Sequence, residues 1–175
     1  MSTNPNKIEY PYLPEGRNIL YVPESNQFMA RAKQVRDEKS TDKSVPTGSV
    51  LTTDGKIIGE AANLAALTSK RLIRFHKRFC LRRLLNIKTG GKYWLCPGCA
   101  KPKNHSEARA IMNAKRNGNS TQGADLYLYG HWWCCRPCWN EMTKAGIRNV
   151  YLLEGSEILF NSKHPDNILG PQFRD

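Results

Sequence analysis

The sequence predicts an α/β fold in which a mixed sheet is flanked by helices. Three observations carry that prediction. A chain of 175 residues is long enough to bury one core. Its apolar periodicity alternates between helical and extended stretches in the order helix, hairpin, insertion, helix, strand, helix, strand. Its 39% hydrophobic and 24% charged residues give the balance of a soluble globular domain.

Residues 1–24 hold Pro5, Pro11, Pro14 and Pro23 and few periodic apolar positions, so they read as an extended arm rather than a packed element. The remainder, 25–175, reads as one domain with an insertion at about 64–104. From Asn26 to Lys39 a helix is expected, with Ser25 as a cap and Phe28, Met29, Ala32 and Val35 on one face. Asp54-Gly55 sits between two β-prone runs and predicts a hairpin over roughly 48–62. Within the insertion, the segment 69–85 interleaves Leu72, Ile73, Phe75, Phe79, Leu84 and Leu85 with Lys and Arg, as one amphipathic helix with a very basic face would. A Gly90-Gly91 break follows, and then the tight Cys96-Pro97-Gly98-Cys99 knuckle. A further helix is expected over His105–Asn117 with Ala108, Ile111, Met112 and Lys115 at helical spacing, then a strand at Leu126–Tyr129. A helix from Trp139 to Ala145 and a strand at Val150–Leu153 complete the order, and the tail from Glu154 to Asp175 is too irregular to place.

No apolar run approaches the roughly 20 residues that cross a bilayer, and Met1–Tyr10 lacks the features of a secretory leader, so no membrane contact and a cytoplasmic location are expected. Four of the six cysteines form two Cys-x-x-Cys pairs, which in that setting favours metal over disulfide use. The net charge of +12 favours a phosphate-bearing partner, a nucleotide or a nucleic acid.

The chemistry concentrates in His105-Ser106-Glu107 and Cys135-Arg136-Pro137-Cys138. One neutral imidazole and two thiolates make a net-neutral tetrahedral zinc site with a fourth position open to water. Cys135 and Cys138 lie at a predicted helix start, where one turn brings them to the same side and free amides favour thiolates. Glu107, two residues from His105, can reach that water without being a ligand and serve as general acid and base. Trp132 and Trp133 precede the ligands, where a flat ring, Trp133 above all, can stack on a base or simply fill the core. His131 is either a substrate-facing or a structural histidine.

These residues, with Ala145–Tyr151 downstream, resemble the zinc-dependent cytidine and deoxycytidylate deaminases, the deoxycytidylate branch in particular. The resemblance runs from about Ser49 to Leu153 without the insertion. It implies a three-layer α/β/α fold with a mixed central sheet, zinc on His105, Cys135 and Cys138, and hydrolysis of a cytosine nucleotide, dCMP to dUMP and ammonia. It also implies a sugar contact from Asn63 and a homo-oligomer. The family's Pro before the first Cys is replaced by Cys134, which leaves a Cys134/Cys138 pair open.

Cys96 and Cys99 are superfluous to that reaction. With His76 and Cys80 they would make a second, structural zinc site of Cys₃His type. Two other readings remain: an editing deaminase acting on cytosine or adenine in RNA or single-stranded DNA, motivated by the basic run from Lys70 to Arg83, and a non-catalytic basic zinc ribbon joining Cys96, Cys99, Cys135 and Cys138.

Overall fold

The computed structural model describes residues 8–87 and 91–169; residues 1–7 of the expected arm, Gly90 of the glycine break and 170–175 of the tail lie outside the described residues. The elements are β1 (Ile19–Val22), α1 (Gln27–Lys39), β2 (Gly48–Thr53), β3 (Lys56–Ala62), α2 (Lys70–Arg78), α3 (Leu81–Leu84), α4 (Ser106–Arg116), β4 (Asp125–Tyr129), α5 (Arg136–Lys144), β5 (Asn149–Leu153) and α6 (Ser156–Leu159). The strands form one sheet in the order β1-β5-β4-β2-β3. β1, β5 and β4 run parallel, and β2 is antiparallel to both of its neighbours. It is the mixed sheet that the sequence predicts.

Strand alternation divides the core into two layers. Leu51, Leu126, Leu128, Val150 and Leu152 share a cluster with Ala110, Ile111 and Ala114 of α4 and Trp139 and Met142 of α5. Val50, Tyr127, Tyr129 and Leu153 share another with Met29 and Ala32 of α1 and Phe160 beyond α6. Helices therefore cover both faces of the sheet. No helix among the described residues is long and apolar enough to cross a membrane.

The structure departs from the sequence reading in four places. Ile19–Val22 is packed, pairing in register from Ile19 with Val150 to Val22 with Leu153. This strand satisfies an edge of β5 that would otherwise expose a row of amides and carbonyls, and Tyr10, Tyr12 and Leu13 pack on the core beside it. The cap of α1 is Asn26, whose Oδ1 accepts from the amides of Phe28 and Met29 at 3.0 and 3.2 Å. The buried face of α4 is Ala110, Ile111 and Ala114, whereas Met112 is 37% exposed. The reason is close packing: a Cβ on Gly59 of β3 would lie 2.6 Å from the Ala110 carbonyl oxygen and 2.8 Å from the Ala114 Cβ, so only small residues fit there. The basic segment of the insertion forms two short helices, α2 and α3, in place of one, and α2 buries none of its residues.

Glu60 of β3 ties the sheet edge to α1. Its carboxylate accepts two hydrogen bonds from Arg31, both 2.7 Å, and one from Lys39 at 2.7 Å. The Arg31 pair, with Lys39 and against the opposing effect of burial, holds the Glu60 carboxyl below its ordinary range. A group with a depressed folded-state pKa stabilises the fold above its unfolded value and stops doing so as pH falls through the folded value. Glu60→Gln should therefore cost about 1 kcal/mol at pH 7, a figure kept small by the water that still reaches the pair. The difference from the parent should shrink steadily as pH drops below 4.5, as read by urea unfolding at several pH values.

Candidate active site

Two helix N-termini meet to build the site. His105 is the N-cap residue of α4 and Cys135 that of α5, and neither side chain caps its own helix. Pro137 in the first turn of α5 favours a helix start at Cys135, and Cys138 is buried one turn on. His105 Nδ1 lies 3.2 Å from Cys138 Sγ and 3.6 Å from Cys135 Sγ. The three donor atoms all fall within 4.8 Å of one another. A tetrahedral zinc with bonds of about 2.3 Å to sulfur and 2.0 Å to nitrogen spans S···N edges of about 3.5 Å, so this donor set fits that ion.

The two ligand thiols differ: the hydrogen bond with Cys135, together with burial, pushes the Cys138 thiol well above its ordinary range. Hydrogen bonding from Cys138 and from His105, acting against burial, brings the Cys135 thiol down to about 6. Burial disfavours charge on His105, but Cys135 and Glu107 outweigh it and raise that pKa. The backbone of Ala100, beside the imidazole, acts in the same direction.

Glu107 is 6% exposed in the first turn of α4 and lines the same cavity as His105 and Cys135. Its position is set by Ser106, a residue to which the sequence reading gave no role. Ser106 Oγ accepts hydrogen bonds from Thr47 Oγ1 (3.0 Å) and Ser49 Oγ (2.8 Å) and donates to Glu107 Oε2 (3.3 Å). The available signal was Ser49, a small hydroxyl residue directly before the apolar pair Val50-Leu51 in a predicted strand.

The cavity has a volume of about 320 Å³, the lower end of the range for small-molecule sites. Asn63 and Trp133 line it, as does His131. Asn63 also braces its rim: its Oδ1 accepts from the Thr47 amide (2.8 Å) and Ser40 Oγ (2.7 Å), and its Nδ2 donates to the Val45 carbonyl (2.8 Å). Trp133 is 7% exposed and belongs to the core as well as to the cavity wall. His131 Nδ1 accepts from the amides of Trp132 and Trp133, and burial brings its pKa down to about 4, so it is neutral at pH 7. Cys134 is wholly buried in the core, where burial pushes its thiol well above the ordinary range, and it does not join the donor group.

His76, Cys80, Cys96 and Cys99 form a second group with donor atoms within 4.8 Å of one another. Among the described residues, the metal-compatible groups keep Cys96 and Cys99 apart from Cys135 and Cys138, so the single four-cysteine ribbon is not assembled.

A family model described as the cytidine and deoxycytidylate deaminase zinc-binding region matches residues 23–154. No curated protein matches the chain. Solved structures similar to it include a diaminohydroxyphosphoribosylaminopyrimidine deaminase/5-amino-6-(5-phosphoribosylamino)uracil reductase from Thermotoga maritima, at 22% identity and TM-score 0.42, covering 71% of this chain and 28% of that one. The guanine deaminase of Bacillus subtilis is 19% identical with TM-score 0.42, covering 73% of this chain and 62% of that one. The dCMP deaminase of cyanophage S-TIM5 is 16% identical with TM-score 0.43, covering 71% of this chain and 78% of that one. This chain thus spans less than two thirds of the first two proteins.

The geometry separates the adjacent cysteines. Cys135→Ser should lose one equivalent of bound zinc, and Cys134→Ala should keep it. Metal analysis of the purified variants, with circular dichroism to confirm that each is folded, distinguishes the two.

Proposed function

The chain belongs to the cytidine and deoxycytidylate deaminase family by its zinc-binding region, and on that premise we propose that it hydrolyses the exocyclic amine of a cytosine nucleotide, dCMP to dUMP and ammonia. The observation that carries the reading is the shared cavity: Glu107 lines the same space as His105 and Cys135, two members of the three-donor set that Cys138 completes. Those three residues would hold the zinc. Zinc in such a site lowers the pKa of a bound water toward about 7, so what it supplies is a nucleophile at neutral pH.

The chain's own groups account for the remaining chemistry. Glu107, anchored by Ser106 beside the donor set, takes a proton from the attacking water and passes it to ring N3; it then takes the proton of the new C4 hydroxyl and gives it to the departing amine as C4 becomes a carbonyl. Trp133 offers a flat wall for the base. Asn63 uses one of its two N–H donors on the Val45 carbonyl and keeps the second for a sugar hydroxyl. Lys43 and Lys77 line the cavity and supply positive charge for a phosphate. A homo-oligomer is carried over from the family as part of this proposal.

Glu107→Gln should lower kcat for ammonia release by about 10²- to 10⁴-fold while leaving the zinc content of the protein unchanged. The assay is a screen of cytidine, CMP, dCMP and dCTP with zinc-loaded protein. No ammonia from any of them would overturn the nucleotide reading.

One feature favours a polynucleotide substrate instead. Phe75, Phe79 and Trp94 are 62%, 47% and 75% exposed on the insertion that walls the cavity, among Lys70, Arg71, Arg74 and Arg78. Aromatic rings set among cations are a stacking platform for single-stranded RNA or DNA. Binding of a fluorescent single strand through several phosphates should weaken on the order of 10³-fold between roughly 50 and 200 mM salt. Absence of any binding at the lower salt removes this reading.

A further inference from the structure

We propose that His76, Cys80, Cys96 and Cys99 hold a second zinc ion that takes the place of a hydrophobic core in the insertion and, through that, fixes one wall of the catalytic cavity and the imidazole of His105.

The four donor atoms are spaced as a tetrahedral zinc ion requires. Cys80 Sγ lies 3.7 Å from Cys99 Sγ and 4.0 Å from Cys96 Sγ, and Cys99 Sγ lies 3.6 Å from His76 Nε2. A tetrahedral zinc site has S···S edges of about 3.8 Å and S···N edges of about 3.5 Å. No pair among the six cysteines is a disulfide. Gly98 adds an independent sign: a Cβ there would overlap the His76 ring, so the knuckle backbone lies directly against the imidazole.

The insertion also buries too little to hold itself together. Between Leu64 and Asn104 only Cys80, Arg82 and Cys96 are buried among the described residues. α2 has no buried residue, and Leu72, Phe75, Phe79, Leu84 and Leu85 are all exposed. A segment of that length without an apolar core does not hold its shape on burial alone, and structural metal is the usual substitute. The charge also closes: three thiolates and a neutral imidazole around Zn²⁺ carry a net charge of −1, and the Arg82 guanidinium lies 3.5 Å from Cys99 Sγ.

The second site also adjoins the first. The Arg82 guanidinium stacks 4.1 Å over the Tyr93 ring, and Tyr93 meets His105 edge-on at 5.6 Å. Ala100, the residue after Cys99, lines the catalytic cavity together with His105. His76, Lys77, Arg82, Tyr93 and Cys99 all line the catalytic cavity. An ion at the second site therefore holds the partners that orient a ligand of the first, the kind of support whose loss typically lowers metal affinity 10–100-fold. The inference stands apart from the identity of the reaction.

The test counts zinc on the intact protein. The parent should carry two zinc ions per chain, and His105→Ala and Cys96→Ser one each. His76→Cys, which preserves a four-donor set, should keep two, and His76→Ala should not. Trypsin should cut the segment 70–83, rich in Lys and Arg, much faster in Cys96→Ser than in the parent or in His105→Ala. The zinc left in Cys96→Ser should be lost to a competing chelator at about tenfold lower chelator strength. One zinc in the parent, or two in Cys96→Ser, overturns the proposal. So does unchanged trypsin sensitivity in a Cys96→Ser chain that has lost one zinc. Ammonia release is scored separately, so failure of the deaminase reading leaves these counts untouched.

Discussion

The Ser106 hydroxyl is the point on which the site depends. It is fully buried, and a buried hydroxyl left without partners costs about 1–3 kcal/mol. Here it is saturated, accepting from Thr47 and Ser49 and donating to Glu107. Those partners come from the entry to β2, so the bond set fixes the rotation of α4 about its own axis against the sheet. Turning the helix by one residue, about 100°, would strand Ser106 and Glu107 together. The register that satisfies Ser106 also sends His105 toward α5 and Glu107 into the cavity, because the two flank it.

The same constraint explains why the core contact of α4 is so close. With its first turn held at β2, the helix crosses β3 at Gly59, and the side chains between must be as small as Ala110 and Ala114. Helix and strand could not approach with a larger residue at either place. Asn63 continues the bracing at the end of β3. It holds the loop that bears Thr47, and Thr47 is itself a partner of Ser106. The cavity rim and the catalytic turn are thus parts of one hydrogen-bonded unit.

What could be read in the sequence follows from which interactions are local. His105, Glu107, Cys135 and Cys138 are legible because ligand spacing of two or three residues at a helix start fixes relative position without knowledge of the fold. The hairpin was legible because Asp54-Gly55 dictates its turn, with both residues at positive φ. β1 was not, since its strand character depends on an unpaired edge of β5 at the other end of the chain. The face of α4 was misjudged because hydrophobic spacing favoured Met112, while the sheet selected for small size at Ala110 and Ala114. In the insertion the apolar spacing suggested an amphipathic helix with something to bury, yet those side chains face outward. The cysteine and histidine spacing was the better guide there.

Charge gives the insertion its bearing on substrate choice. On the proposed reading the first metal site is neutral, with two thiolates and an imidazole around Zn²⁺, and the second is balanced by Arg82. Neither then contributes a net field. Asp42 lines the cavity, but its carboxylate accepts from the amides of Ser44 and Val45 at 2.8 and 3.1 Å. The cavity is thus lined by the carboxylates of Asp42 and Glu107 and by two ammonium groups, Lys43 and, from the insertion, Lys77. On the proposed reading, the phosphate of the substrate would take its counter-charge from those ammonium groups. Because Lys77 stands on α2, a helix with no buried residue, its position depends on whatever holds His76 one residue before it.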